Sequence, residues 1–220
     1  KKFRVLSEWL VERDVASLRL DFVGCWLSSG DFGNVTIAYW FEQLHFVTDY
    51  LKKNFSDCDI SIVCHSMSAA VLAYWIEQWY SMFDRIVLIA PWLNQTKLIR
   101  YRFVSKNNKE AFIDWDNYIN YFDDSKFQNF LHREDHVSKT SYLKKDYFLT
   151  SNNLDFSQSF HDLTTKVLHV HGDMDTVVPF QSVKDCCDHK IIVSWGDHDL
   201  EKPIYREQWV KAVLNFLVND

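Results

Sequence analysis

The chain has 220 residues, of which 47% are hydrophobic and 25% are charged. A chain of this size and composition can bury one good hydrophobic core, which excludes a disordered or collagen-like protein and predicts a single domain over 1–220. The formal net charge is -6, and no run of lysine and arginine is longer than two residues. Binding to nucleic-acid phosphates needs clustered positive charge, so we expect no nucleic-acid partner.

Cysteine usage indicates a reducing environment. The five cysteines are an odd number without zinc-ligand spacing, so we interpret them as small buried side chains. The sequence contains neither a signal peptide nor an apolar run of about 18 residues, and we expect a cytoplasmic protein without a membrane span. The chain begins KKFRVL rather than with methionine, from which we expect a fragment or a trimmed chain. The cysteines are Cys25, Cys58, Cys64, Cys186 and Cys187.

The first third of the chain predicts a helix, a strand, a loop and a second helix. Apolar residues at helical spacing predict a helix over 3–10, and the stretch ASLRLDF predicts a strand over 16–22. The stretch VGCWLSSGDFGN holds three of the five glycines and is typical of a loop. VTIAYWFEQLHFVTDYLKKNF then has the amphipathic pattern of a long helix.

Four further apolar stretches read as strands: DISIVCH, DRIVLIAP, KVLHVHG and KIIVSWG. Helical or loop segments separate them, and the packed helix MSAAVLAYWIEQWY follows the first. Continuous apolar strands interleaved with helices indicate an α/β protein with a mostly parallel sheet covered on both faces. The segment between DRIVLIAP and KVLHVHG is too long for an ordinary crossover, so we expect an aromatic-rich helical cap over 92–165. Most of its aromatic residues should pack the cap, and the rest should line an apolar pocket.

Three polar residues follow predicted strands at their carboxyl ends, where the functional loops of an open α/β sheet converge. Ser66 follows DISIVCH, Asp175 lies in HGDMDTVVP, and His198 lies in WGDHDL. A serine hydroxyl becomes a nucleophile when a histidine takes its proton and a carboxylate orients that histidine. The backbone N–H of Met67 would bind the oxyanion. Each residue also has a plainer interpretation: a helix N-cap for Ser66, a turn residue for Asp175 and a surface-loop residue for His198.

The chain resembles the α/β-hydrolases, in particular the capped serine hydrolases that include esterases and acylglycerol lipases. The chain order serine, aspartate, histidine is the one that this fold uses. CHSMSA is similar to the family's G-H-S-M-G-G, HGDMDTVVP to G-x-x-D-x-x-V-P, and WGDHDL to the G-x-x-H segment. ASLRLDFVGCWLSSGDF is similar to L-R-x-D-x-R-G-H-G-x-S. The resemblance implies an α/β-hydrolase fold and selects Asp175 rather than Asp173 as the acid.

The chain departs from the family pattern in three places. Cys64 and Ser68 replace the glycines two residues before and after the serine. Trp26 replaces a loop glycine, and this replacement is energetically unfavourable if φ at Trp26 is positive. The family also has a central strand between the strands that correspond to ASLRLDF and DISIVC. A loop after that strand carries a second oxyanion donor in an H-G motif, and the given sequence has no such strand and motif ahead of the helix over 3–10. We expect either residues upstream of Lys1 that supply this strand or a rearranged fold.

These observations lead to two hypotheses. The first is a hydrolase that needs no cofactor and no metal, and that cleaves a carboxylic ester or related acyl bond of a small substrate. Ser66 would attack the carbonyl, His198 would transfer the proton and Asp175 would orient His198. The second is a hydrolase-like protein with impaired catalysis that binds a ligand or partner. The sequence leaves the identity of the substrate, the choice between ester, thioester and amide, and the oligomeric state open.

Overall fold

Four parallel strands form the central sheet of the protein. A computed structural model describes residues 2–79, 82–108, 111–137, 142–161 and 163–218. The sheet has the order β1-β2-β5-β6, and a separate antiparallel pair is formed by β3 and β4. The strands are β1 (Ile62–His65), β2 (Arg85–Ile89), β3 (Asp135–Val137), β4 (Tyr142–Lys144), β5 (Lys166–Gly172) and β6 (His189–Val193).

Helices cover both faces of the sheet, as the continuous apolar strands predict. They are α1 (Lys2–Val11), α2 (Ile37–Asn54), α3 (Met67–Trp79), α4 (Gln95–Asn107), α5 (Asp124–Leu131), α6 (Lys145–Ser151) and α7 (Pro203–Val218). Strand β2 is fully buried, and its alternate residues face opposite layers. Ile86 and Leu88 pack in the cluster with α2 and α3, whereas Val87 and Ile89 pack in the cluster with α1 and α7. The predicted α/β class is therefore confirmed.

The predicted strand over 16–22 is wrong. These residues belong to no strand, and residues 16–21 are exposed to solvent. Strand β1 is the last strand of the sheet on this side, and residues 16–22 do not pair with its free edge. The end of the segment is instead fixed by α2. The Val23 N–H donates to Gln43 Oε1 at 2.8 Å, and Phe22 stacks on Trp40 with the ring centroids 5.0 Å apart.

The glycine-rich loop after this segment is a series of tight turns. The Gly24 N–H donates to the Ser29 carbonyl at 2.9 Å, and Gly24 has a φ of 82°. Trp26 adopts a φ of 47°, in the left-handed region. This backbone conformation is energetically unfavourable for a bulky residue. Its side chain is 86% exposed, so the indole does not offset that cost by packing. The loop therefore holds a strained, exposed tryptophan where the family pattern has glycine.

The segment between β2 and β5 contains α4, α5 and α6, and also the short hairpin of β3 and β4, which was not predicted. Backbone hydrogen bonds join its two ends: the Thr96 N–H donates to the Leu154 carbonyl, and the Phe156 N–H donates to the Leu93 carbonyl, both at 3.1 Å. Phe127 is fully buried at its centre. As predicted, many of its aromatic residues pack internally, although Phe112 is 83% exposed.

The structure also describes the state of the cysteines and the character of the helices. All five cysteines are free; Cys64, Cys186 and Cys187 are buried as expected, Cys25 is half-buried, and the expectation is wrong for Cys58, which is exposed. Among the helices in the described ranges, none combines the length and the apolar character that crossing a bilayer requires.

Candidate active site

Ser66 lies on a sharp turn between β1 and α3. Its φ of 56° is in the left-handed region, which is unfavourable for a residue with a β-carbon. Backbone hydrogen bonds hold it there: the Ser66 N–H donates to the Ile89 carbonyl at 2.9 Å, and the Ser66 carbonyl accepts from the N–H groups of Ala69 (3.0 Å) and Trp92 (3.1 Å). The end of β2 thus fixes the turn, and the Ser66 hydroxyl stands at the carboxyl edge of the sheet.

The residues that replace glycine around Ser66 fit the turn. Cys64 is 5% exposed and packs in the core. The Ser68 hydroxyl donates to the His65 carbonyl and accepts from the His65 N–H, both at 2.8 Å, so its side chain closes the turn. Met67 is the first residue of α3, and its N–H has no acceptor within the described residues. An oxyanion beside Ser66 could accept a hydrogen bond from this group.

His198 connects Ser66 with Asp175. His198 Nε2 lies 2.9 Å from Ser66 Oγ, and His198 Nδ1 lies 2.8 Å from Asp175 Oδ2. A carboxylate only accepts hydrogen bonds, so Nδ1 carries the proton and Nε2 is free to accept from the serine hydroxyl. The three residues come from the loops after β1, β5 and β6 and meet at one edge of the sheet. The structure thus brings together the three side chains that the sequence singled out, whereas Asp173 is exposed.

Asp175 is buried and accepts several hydrogen bonds. Its Oδ1 accepts from the N–H groups of Val177 (2.8 Å) and Val178 (2.9 Å), and its Oδ2 lies 3.4 Å from His171 Nε2. Burial acts to raise the pKa of Asp175, but the hydrogen bonds from His171, His198 and Val178 outweigh it and hold the pKa well below its usual range. The carboxylate therefore stays ionised at neutral pH and can stabilise a positive charge on His198.

A buried chain of polar side chains continues from Asp175 into the core. His171 Nε2 donates to the Val178 carbonyl at 2.8 Å, so His171 Nδ1 must accept, and it lies 2.9 Å from His169 Nε2. His169 Nδ1 in turn lies 3.5 Å from the Cys186 thiol. Burial, followed by the neighbouring His171, lowers the pKa of His169 to about 3. Both histidines are fully buried in the core, and His171 also contacts Asp175.

His65, directly before Ser66, contacts the loop that carries His198. Its Nε2 donates to the carbonyl of His198 at 3.0 Å, and the two imidazole centroids are 4.9 Å apart. Burial lowers the pKa of His65 to about 3, so the ring is neutral. His65 therefore positions the loop that carries His198.

Lys2 is a further residue that the sequence analysis did not identify. Its side chain is 4% exposed, and Nζ donates to the carbonyl of Asp199 at 2.7 Å, one residue after His198. Burial lowers the pKa of Lys2 to about 8, although Asp199 and Glu201 act in the opposite direction. Helix α1 thus supports the His198 loop from behind, through a contact between distant parts of the sequence.

No cofactor site follows from this arrangement. Within the described ranges, no group of three or more His, Cys, Asp or Glu side chains is arranged to hold a metal ion. The chemistry that the geometry offers is nucleophilic attack by a hydroxyl with proton transfer through an imidazole.

Comparisons with known proteins define the class. The fold is that of the α/β-hydrolases. Est1E from Butyrivibrio proteoclasticus with ferulic acid bound superposes with a TM-score of 0.74 and 20% sequence identity, over 99% of this chain and 82% of that chain. A monoacylglycerol lipase from Paleococcus ferrophilus gives a TM-score of 0.67 at 12% identity, over 99% and 88% of the two chains. Mouse alpha/beta hydrolase domain-containing protein 10 gives 0.69 at 12% identity, over 97% and 82%.

The chain belongs to the Hydrolase_4 family, described as serine aminopeptidase, S33, whose model matches residues 1–194. It is thus a member of a hydrolase family, which confirms the resemblance seen in its sequence motifs. No curated protein shows significant sequence similarity to the chain.

Proposed function

We propose that the protein is a serine hydrolase that cleaves a carboxylic ester or related acyl bond of a small molecule. The observation that carries this proposal is the continuous hydrogen-bonded path from Ser66 Oγ through His198 to Asp175, with distances of 2.9 and 2.8 Å. A structural N-cap serine needs neither an imidazole on its hydroxyl nor a buried carboxylate behind that imidazole.

In the proposed reaction Ser66 Oγ attacks the substrate carbonyl while His198 Nε2 takes its proton. The tetrahedral oxyanion accepts a hydrogen bond from the Met67 N–H, and Asp175 stabilises the imidazolium. His198 then returns the proton to the leaving alcohol, and an acyl group remains on Ser66. Water, activated by His198, attacks the acyl-enzyme, releases the carboxylic acid and regenerates the serine.

The structural relatives support an ester as the substrate. Est1E binds ferulic acid, a carboxylic acid, which is the type of product that ester hydrolysis releases. The lipase from Paleococcus ferrophilus is named for acylglycerol, another ester. These relatives support the choice of an ester over the peptide bond that the family description suggests.

One observation favours a second candidate, a hydrolase-like protein with impaired catalysis that binds a ligand. Among the residues that the structure describes around Ser66, we identify a single oxyanion donor, the Met67 N–H. Loss of one donor of an oxyanion hole typically reduces kcat about 10²–10³-fold. A protein with low or undetectable hydrolase activity, despite an intact Ser66–His198–Asp175 arrangement, would fit this observation.

A fluorophosphonate probe separates these candidates, because an activated serine displaces fluoride and forms a bond to phosphorus. We expect labelling of Ser66 that is lost in Ser66→Ala and strongly slowed in His198→Ala. Ser194→Ala is the matched control, since Ser194 is exposed and its side chain does not contact His198 or Asp175. Labelling together with hydrolysis of p-nitrophenyl butyrate supports the hydrolase, whereas labelling without hydrolysis of an ester panel supports the impaired protein. The proposal is contradicted if Ser66 stays unlabelled in a folded sample and His198→Ala does not change the labelling.

A further inference from the structure

Arg102, on the cap helix α4, has a guanidinium without an anionic partner. The side chain is half-buried and lies over the Trp92 ring, 6.0 Å from its centroid. It makes no ion pair or side-chain hydrogen bond with any residue that the structure describes. Arg100 on the same helix differs: its Nη1 donates to the carbonyls of Thr96 (2.7 Å) and Asn152 (3.3 Å). Arg100 is therefore a structural arginine, whereas the five N–H donors of Arg102 are available to a ligand.

Trp92 offers a second unused donor beside the nucleophile. Its backbone N–H donates to the Ser66 carbonyl at 3.1 Å, which places Trp92 against the serine turn. Its indole Nε1 is buried and has no hydrogen-bond acceptor within the described residues. A buried N–H without an acceptor is unfavourable, and an acceptor supplied by a ligand would satisfy this group.

The charges around Arg102 connect it to the same site. Burial lowers the pKa of Arg102, and the negative charge of Asp175 acts against this effect. Lys106 is one turn further along α4; burial lowers its pKa, and the positive charge of Arg102 adds to that effect. Arg102 and Lys106 thus place two positive charges on one face of α4, and Arg102 lies close enough to Asp175 for their charges to interact.

We propose that Arg102 and the Trp92 indole bind a carboxylate on the substrate, so that the enzyme prefers esters that carry one. This inference rests on the proposed hydrolase function and specifies its substrate class. The planar guanidinium matches a carboxylate in two parallel hydrogen bonds, and the indole N–H can donate one more. One guanidinium balances a single negative charge, whereas a phosphate dianion would keep one charge unmatched. The ammonium group of an aminopeptidase substrate would be repelled.

Two pairs of isosteric esters test the preference. Monoethyl succinate and ethyl 4-methylpentanoate differ by a carboxylate on the acyl side, and acetoxyacetate and isobutyl acetate differ in the same way on the alcohol side. Ethanol release is measured for the first pair, and acetate release for the second. We expect the anionic member of at least one pair to have a kcat/KM about 10- to 100-fold higher than its neutral isostere, as charge-assisted hydrogen bonds imply.

Variants assign the preference to the two residues. Arg102→Met keeps an unbranched side chain over Trp92 and should remove most of the preference, because it lowers kcat/KM for the anionic esters more than for their neutral isosteres. Trp92→Phe keeps an aromatic ring without the N–H and should reduce the preference by a smaller factor. Lys97→Gln is the matched control, because it removes a positive charge from an exposed position of the same helix. Equal kcat/KM within both pairs, or equal losses for anionic and neutral esters in Arg102→Met, would overturn the inference.

A binding measurement keeps this inference separate from the proposed activity. Ser66→Ala protein should bind monoethyl succinate in titration calorimetry, and Ser66→Ala/Arg102→Met protein should bind it about 10-fold or more weakly. If the two proteins differ in their affinity for monoethyl succinate but wild-type protein cleaves none of the four esters, the result contradicts the proposed function only. Turnover of neutral esters without any effect of Arg102 on binding would contradict the inference only.

Discussion

Gly172 and Gly196 lie against each other without room for a side chain on either. A β-carbon on Gly172 would lie 2.2 Å from the Gly196 carbonyl oxygen, and one on Gly196 would lie 2.9 Å from the Gly172 Cα. Gly172 ends β5 and precedes the Asp175 loop, while Gly196 precedes the His198 loop. This close approach holds the two loops at the separation at which Asp175 and His198 share a hydrogen bond.

Gly172→Ala should therefore separate the two loops. We expect the free energy of unfolding to fall by about 1–3 kcal/mol from overpacking, and kcat/KM for p-nitrophenyl butyrate to fall about 100-fold from misplacement of His198. Chemical unfolding and steady-state kinetics measure the two effects. A variant with unchanged activity would show that the contact between the glycines does not set the geometry of the site.

Asp175→Asn tests the role of the carboxylate with little change in shape. An amide can present its N–H₂ group to His198 Nδ1 and so select the wrong imidazole tautomer, and it offers no negative charge to the imidazolium. We expect kcat to fall about 10³–10⁴-fold while KM changes little. Asp173→Asn, an exposed site two residues earlier, is the control and should retain activity. Comparable losses in both variants would argue against Asp175 as the acid.

The left-handed conformation of Ser66 predicts a conflict between stability and activity. Glycine adopts a φ of 56° without the steric cost that a β-carbon imposes. We expect Ser66→Gly to have a free energy of unfolding about 1 kcal/mol higher than that of Ser66→Ala, since both variants lack the hydroxyl and differ only at the β-carbon. Urea unfolding compares them. If Ser66→Ala is the more stable of the two, the turn is not strained in solution.

The buried histidines predict loss of stability in acid. Burial lowers the pKa of His169 from its ordinary 6.5 to about 3. Between these two values the unfolded chain binds a proton that the folded chain does not, so the free energy of unfolding falls as the pH falls. The slope for one such side chain approaches about 1.4 kcal/mol per pH unit.

His169→Gln removes this titration. Urea unfolding at several pH values between 6.5 and 4 should give a shallower slope for the variant than for the wild type, by about 1 kcal/mol per pH unit. The comparison concerns the slope, because loss of the contacts with His171 and Cys186 also changes stability at neutral pH. Parallel slopes would mean that His169 is protonated in the folded protein.

Sequence reasoning predicted the fold best where a signal is local and repeated. The runs that became β1, β2, β5 and β6 are rich in Ile, Val and Leu, and β2 and β5 are buried along almost their whole length, so the apolar signal repeats along the run. The stretch over 16–22 also contains apolar residues but is not a strand, because a strand needs a paired neighbour, which composition does not reveal. The hairpin of β3 and β4 was missed, since three-residue strands hold too few residues for an alternating pattern.

The residues of the candidate site likewise divide into those that a local sequence signal predicts and those that it does not. Ser66, Asp175 and His198 could be predicted because each follows a strand, and strand ends converge in a parallel sheet. Lys2 could not, because it contacts the residue after His198 from α1, at the other end of the sequence, and the position of Arg102 over Trp92 depends on how α4 packs. The contact of His171 with Asp175 depends on the path of a loop, which the residue types alone do not determine.

The position of β1 at the edge of the sheet has a consequence for the motions of the site. In the described part of the chain β1 is paired on one side only, with β2, whereas β5, which precedes the Asp175 loop, lies between two strands. Local unfolding starts where the fewest bonds must break, so the amides of β1 should exchange with solvent before those of β5. Ser66, the proposed nucleophile, thus follows an edge strand, and each opening of β1 separates Ser66 from Asp175, whose loop follows a strand that is paired on both sides.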